Sequence, residues 1–208
     1  MIKELSSRFI RLLLLKKERI FLPFVVIQQQ FMKEGKSPMK LNSFRTTKTG
    51  IRVYLRPVEV FDKSLVKKFL DKLSVQSLYS RFFTLRKNIL DEFLQKFFTI
   101  NTGIEMYILA IDQNKKEEVV GVGQFHICSD ASLAEIALIV SDNYQNKGIG
   151  RELLTHMMQL AKYRELKGFE GIVQTDNWPM LRICQTIGFS TFEKTLRPPG
   201  VYEFKMFF

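Results

Sequence analysis

The segment Val140-Ser-Asp-Asn-Tyr-Gln145-Asn-Lys-Gly148-Ile-Gly150-Arg151 sets two glycines between an apolar strand pattern and a long amphipathic helix pattern. Glycine tolerates tight turns, so Gly148 and Gly150 let successive N–H groups face outward at the positive end of the helix, as a diphosphate requires. A dinucleotide fingerprint would need glycine where Leu153 stands, and a nucleotide P-loop would need Gly-Lys-Ser/Thr at this point. The decoy Gly35-Lys36-Ser37 has Gln30 where the first P-loop glycine belongs. A second chemical group precedes the loop. In Leu133-Ala-Glu-Ile-Ala-Leu-Ile-Val140, alternation puts Glu135 on one face with Ala137 and Ile139, in a strand otherwise apolar on both faces. A carboxylate there must be partnered or have its pKa raised, and a raised pKa suits a general base. The competing reading is a strand-edge glutamate paired with a surface lysine. Cys128 and Cys184 stand far apart without C-x-x-C spacing, and His126 and His156 have no partners at metal-ligand spacing. A metal site and a disulfide framework are therefore not expected, and both histidines read as structural.

These groups need elements to hold them. Ile51 to Val58 alternates as a strand, Asp62 caps an apolar-periodic helix to Leu73, and a second helical stretch runs from Ser77 through Phe98 with a break near Asn88. Glu105 to Ile111, Val119 to Cys128 and Leu133 to Val140 read as an antiparallel meander with polar turns. A long helix follows from Gly148 to Leu166, then a strand from Gly171 to Thr175 and a short helix from Pro179 to Thr186 stopped by Gly188. Phe189 to Thr195 and Val201 to Phe207 form a closing hairpin through Pro198, Pro199 and Gly200. Strand, helix, strand across Leu133 to Thr175 is a crossover, so those two strands should be parallel neighbours in a mostly antiparallel sheet. The class is α+β, or mixed α/β.

At 208 residues the chain is long enough for one cored domain and short for two. Hydrophobic residues are 46% and charged residues 25%, which excludes a disordered or collagen-like chain. The net charge is +11, of which +6 lies in residues 1 to 40, leaving an unremarkable +5 for the body. Specific nucleic-acid binding by the body is therefore not expected. Residues 2 to 20 read as a basic amphipathic helix with Ile2, Leu5, Phe9, Leu12 and Leu13 at helical spacing, and Glu34 to Lys40 as a linker. That helix either docks on the body or makes an anionic-membrane or partner contact through residues 1–30. The expected organisation is thus a 1–40 extension and a 41–208 domain. No apolar run approaches the ~18 residues of a membrane span, and Lys16, Lys17, Glu18 and Arg19 interrupt any signal-peptide centre, so the expected location is cytoplasmic.

Gln145-Asn146-Lys147-Gly148-Ile149-Gly150 resembles the acetyl-CoA motif Gln/Arg-x-x-Gly-x-Gly/Ala of the GNAT N-acetyltransferases, and the element order from Ile51 to Phe207 is similar to their fold. Leu78-Tyr-Ser-Arg-Phe-Phe83 and Asn177-Trp-Pro-Met-Leu-Arg-Ile-Cys-Gln-Thr-Ile-Gly188-Phe189 resemble the acetyltransferase domains of bacterial protein lysine acetyltransferases. The resemblance implies acetyl-CoA as co-substrate, with the pantetheine arm on backbone groups of Leu138 and Val140. The diphosphate would lie on the N–H groups of Gln145, Asn146, Lys147, Gly148, Ile149, Gly150 and Arg151. Asn177 would lie near the thiol, although capping the helix at Pro179 is an equal reading. Transfer to an amine needs a base, because a free lysine has a pKa near ~10.4, and the family's glutamate base falls on Glu135. Many relatives carry a tyrosine seven residues after the asparagine as general acid, where this chain has Cys184. Cys184 reads as a small buried residue rather than a nucleophile. By analogy, Arg81 would face an acidic substrate. The implied activity is direct acetyl transfer in a ternary complex, with a protein lysine as acceptor. Alternatives are a small-amine acetyltransferase or a non-catalytic acyl-CoA-binding sensor.

Overall fold

A computed structural model describes residues 41–86, 88–97, 104–115, 118–128, 132–188, 191–195 and 200–208. The expected helix of residues 2–20, the linker to residue 40 and the turn at Pro198 and Pro199 lie outside the described residues.

Alternation of apolar residues drives the centre of the sheet. β3 (Glu105–Asp112), β4 (Glu118–Ile127) and β5 (Leu133–Val140) pair antiparallel as the expected meander. On the near side lie β2 (Arg52–Pro57) and β1 (Ser43–Thr46), on the far side β6 (Gly168–Gln174), β8 (Val201–Phe207) and β7 (Thr191–Thr195). The order is β1-β2-β3-β4-β5-β6-β8-β7, and β5 with β6 is parallel while every other pair is antiparallel. The fold is α+β, a mixed sheet flanked by helices.

Each face has its own core. α1 (Lys63–Leu70), α2 (Val75–Phe82) and α3 (Ile89–Phe97) cover the face of Tyr107, Leu109, Val122 and Ile139. α4 (Ile149–Tyr163) and α5 (Trp178–Ile187) cover the face of Ile108, Phe125, Ile136 and Phe169. α4 comes close because β4 carries Gly123, where an added Cβ would stand 2.8 Å from Met157 Sδ.

Several boundaries differ from the sequence reading for local reasons. The break expected near Asn88 is present, with Phe83 at φ 54° ending α2 and α3 beginning at Ile89, but α2 starts at Val75 rather than Ser77. Asp62 does not cap α1 with its side chain; its carboxylate instead receives both Arg56 Nη groups at 2.6 and 2.7 Å and the Glu59 N–H at 2.7 Å. α1 accordingly starts through a short 3-10 turn, Val60–Asp62, and stops at Leu70 rather than Leu73. β6 starts at Gly168, three residues before the expected Gly171.

Candidate active site

β5 and β6 pair only over three positions, Leu133 with Gly168, Ala134 with Phe169 and Glu135 with Glu170. Beyond Glu135 both strands continue, to Val140 and Gln174, but no longer as a ladder. A parallel sheet that parts in this way exposes strand-edge N–H and C=O groups to whatever enters the gap. The gap opens into a cavity of about 700 Å³ lined by Glu135 to Val140 of β5, the glycine loop, α2 and α5.

The loop is clamped from two sides. On one side the Asp142 carboxylate accepts from the Ser74 N–H (2.9 Å), Ser74 Oγ (2.6 Å) and Ser77 Oγ (2.7 Å) at the start of α2. Burial works to raise the Asp142 carboxyl, but these hydrogen bonds outweigh it and hold it below the usual aspartate range. Gln145 Nε2 donates to Ser77 Oγ at 2.8 Å and to the Val140 carbonyl at 3.2 Å, and Tyr144 donates its hydroxyl to buried Asp112 at 2.7 Å. On the other side the β1–β2 turn reaches the loop, with Thr49 Oγ1 donating to the Lys147 carbonyl at 2.8 Å. Asn146 and Gly148 take left-handed φ of 59° and 90°. A Cβ on Gly148 would stand 3.1 Å from Thr47 Cβ, so this backbone is both conformationally and sterically glycine's.

Gly148 is the N-cap of α4, and the first intrahelical bond is from the Glu152 N–H to the Gly148 carbonyl. The N–H groups of Ile149, Gly150 and Arg151 therefore have no acceptor within the helix and stand at its positive end. Gln145 differs from the expectation: its N–H bonds back to the Asp142 carbonyl at 3.2 Å, and its side chain buttresses the loop. Lys147 lies over the Tyr144 ring, and Ile149 is buried in the core, so its side chain is not available to a ligand. Leu138, Val140, Asn146, Gly148, Gly150 and Arg151 line the cavity, as does Asn177. Asn177 Oδ1 accepts the Met180 N–H at 3.2 Å and so caps α5 as well.

Glu135 lines the same cavity at the point where the strands part. One positive charge that interacts with Glu135 is the guanidinium of buried Arg81. Arg81 is only 6% exposed; it donates to Gln124 Oε1, lies over the Phe82 and Phe93 rings, and interacts with Glu135 and Tyr107. Burial lowers its pKa and the two neighbours oppose that shift. Arg81 lines the same cavity as Glu135. Cys184 is fully buried, its thiol pushed up to about 12 by desolvation. Lys48 and Arg182 also line the cavity, two cations that sequence reasoning missed. Lys48 comes from a turn with no motif of its own, whereas Arg182 lies within the Asn177 to Phe189 segment that already stood out.

A loop of helix-end amides, a parted parallel strand pair and a carboxylate at the fork thus meet around one cavity. The chain belongs to the acetyltransferase (GNAT) domain family, whose model matches residues 52–190, and by class it is an N-acetyltransferase. It is 22% identical over 141 residues to an acetyltransferase of Pseudomonas aeruginosa, covering 67% of this chain and 76% of that protein. It is 29% identical over 142 residues to the acetyltransferase Pat of Mycolicibacterium smegmatis, covering 68% of this chain and 42% of that longer protein. The crystal structure of the GNAT domain of S. lividans PAT superposes with a TM-score of 0.73 at 20% identity, over 83% of this chain and all of that one. Among the described residues no helix is long and apolar enough to cross a membrane.

Proposed function

We propose that the chain transfers acetyl from acetyl-CoA directly to an amine in a ternary complex, with a protein lysine as acceptor. The observation that carries this reading is the parting of β5 from β6 at Glu135 and Glu170, with the α4 amides at one end of the opened strand and Glu135 at the other. The residues present suit the co-substrate: a cradle that a Cβ on Gly148 would crowd, free helix-end donors for a diphosphate, and the cations Lys48, Arg151 and Arg182 along the wall. From Glu135 to Val140 the strand spans roughly 17 Å, a length that an extended pantetheine arm can follow through backbone groups of Leu138 and Val140.

Acetyl-CoA supplies the activated thioester. The chain supplies position and a base. Amides of Asn146 to Arg151 anchor the diphosphate, Asn177 stands beside the arm, and Glu135 removes the acceptor's proton through water so that a neutral amine attacks. Arg81 supplies a buried positive charge that interacts with the Glu135 carboxylate. Cys184, buried with a raised pKa, supplies no covalent step, so the departing thiolate takes its proton from water.

The lysine assignment is supported by the likeness to Pat and by the Leu78 to Phe83 and Asn177 to Phe189 segments. A small amine is the second reading, favoured by Asp176 on the cavity wall and Glu170 opposite Glu135. Competitive kinetics with thiol detection decide between them. A purified acyl-CoA synthetase should be acetylated with higher kcat/KM than free lysine or spermidine. A small amine preferred over every synthetase tested would overturn the protein-lysine assignment while leaving the transferase reading intact. No CoA release with any amine would favour the sensor alternative.

A further inference from the structure

The strand registers place Glu135 in a row of polar residues running across the sheet. Glu105 of β3 stands opposite His126 of β4, His126 stands opposite Glu135 of β5, and Glu135 stands opposite Glu170 of β6. Residues directly opposite across an antiparallel pair share a face, with Cβ atoms about 5 Å apart. His126 Nδ1 lies 3.0 Å from Glu105 Oε1, which fixes the ring toward β3 and leaves Nε2 for a second partner. The imidazole is 18% exposed, so it reaches water.

We propose that His126, oriented by Glu105, is a proton relay that receives from Glu135 the proton lost by the acceptor and passes it to solvent. The inference rests on the reading of Glu135 as base. Conversion of an ammonium and a thioester to an amide and a free thiol releases one proton net, and that proton must leave a cavity that buried Arg81 also lines. In the proposed sequence the ammonium N–H bond breaks and the proton passes through water to the Glu135 carboxylate. The resulting carboxylic acid gives it to neutral Nε2 of His126, Glu105 stabilises the imidazolium, and release to water regenerates both groups.

The other charged groups around His126 do not offer this route. Glu170 is engaged by Lys205 Nζ at 3.3 Å and by the Cys128 thiol at 3.3 Å. Cys128 has its pKa pushed up to about 12 by burial and by that carboxylate. Tyr107 is raised by desolvation, and Arg81 is a permanent cation. His126 is a positioning and relay group acting through Glu135, and its tests must separate that role from a structural one.

With the full chain at saturating acetyl-CoA and acceptor, His126→Gln should keep CoA affinity and lose roughly ten-fold or more in kcat. Added imidazole should restore the rate of His126→Ala and should not restore it when Glu135→Gln is also present. Glu105→Gln, the milder variant, should lower kcat less than His126→Gln does, because the ring then loses the carboxylate that orients it. An unchanged kcat and pH profile in folded His126→Gln overturns the proposal. So does a loss that imidazole leaves untouched while Glu105→Gln keeps the wild-type rate. If Glu135→Gln alone retains full turnover, the base reading itself has failed, and the relay falls with it.

Discussion

Glu135 sits at the last paired position of β5 and β6, and its neighbours decide what it can do. Buried Arg81 interacts electrostatically with both Glu135 and Tyr107, and Arg81 and Glu135 line the same cavity. Cys184 occupies the position from which a tyrosine would act in many relatives, yet it is fully buried and its thiol is pushed up to about 12. A thiol so placed is overwhelmingly protonated near neutral pH and cannot serve as nucleophile. Cys184→Ala should therefore leave kcat within about two-fold of wild type and cost about 1 kcal/mol of stability by loss of a small core group. Steady-state kinetics with chemical denaturation check this, and abolished turnover in a folded variant would revive a covalent route.

The elements that carry the site act as a clamp. Ser74 and Ser77 at the start of α2 grip Asp142, and the β1–β2 turn grips the loop carbonyl of Lys147, so the glycine loop is held before any ligand arrives. Preorganised amides of this kind cost little to align on binding. Gly148→Asp introduces a side chain at φ 90°, a contact with Thr47 and a negative charge at the diphosphate position. CoA affinity measured by calorimetry should fall at least roughly hundred-fold, equivalent to about 2.7 kcal/mol; unchanged affinity in a folded protein would place the diphosphate elsewhere. Most of this architecture was legible in sequence. The meander, the crossover and the loop before α4 follow from apolar alternation and two glycines. β1 was not, because Ser-Phe-Arg-Thr at a sheet edge alternates weakly and leaves Phe44 68% exposed. The contact of its turn with the loop joins residues 98 apart, Thr49 and Lys147, which no local pattern encodes. The surroundings of Arg81 were likewise not legible, because Phe82, Phe93 and Gln124 converge on it from α2, α3 and β4.

At the scale of the molecule, the described elements of the sheet and its two helical layers run from Ser43 to Phe207. Among them, His156 Nε2 donates to the carbonyl of Leu41 and so fastens the first described residue to α4. Deleting residues 1 to 38 retains that bond and should leave a folded protein whose CoA affinity is unchanged. The basic extension would then account for any attraction to anionic membranes, which cosedimentation with anionic liposomes measures; equal binding by both forms excludes that role, and an unfolded truncation shows that the extension belongs to the core. The central claim, that a carboxylate at the fork of β5 and β6 activates an amine beside a thioester held on the α4 amides, has one direct measurement. It is the turnover of Glu135→Gln against pH in protein whose CoA affinity is shown to be intact. The account predicts a loss of roughly 10²-fold or more at neutral pH, shrinking as pH rises because the acceptor then deprotonates unaided. Turnover within a few-fold of wild type at neutral pH, with CoA bound as before, would contradict it.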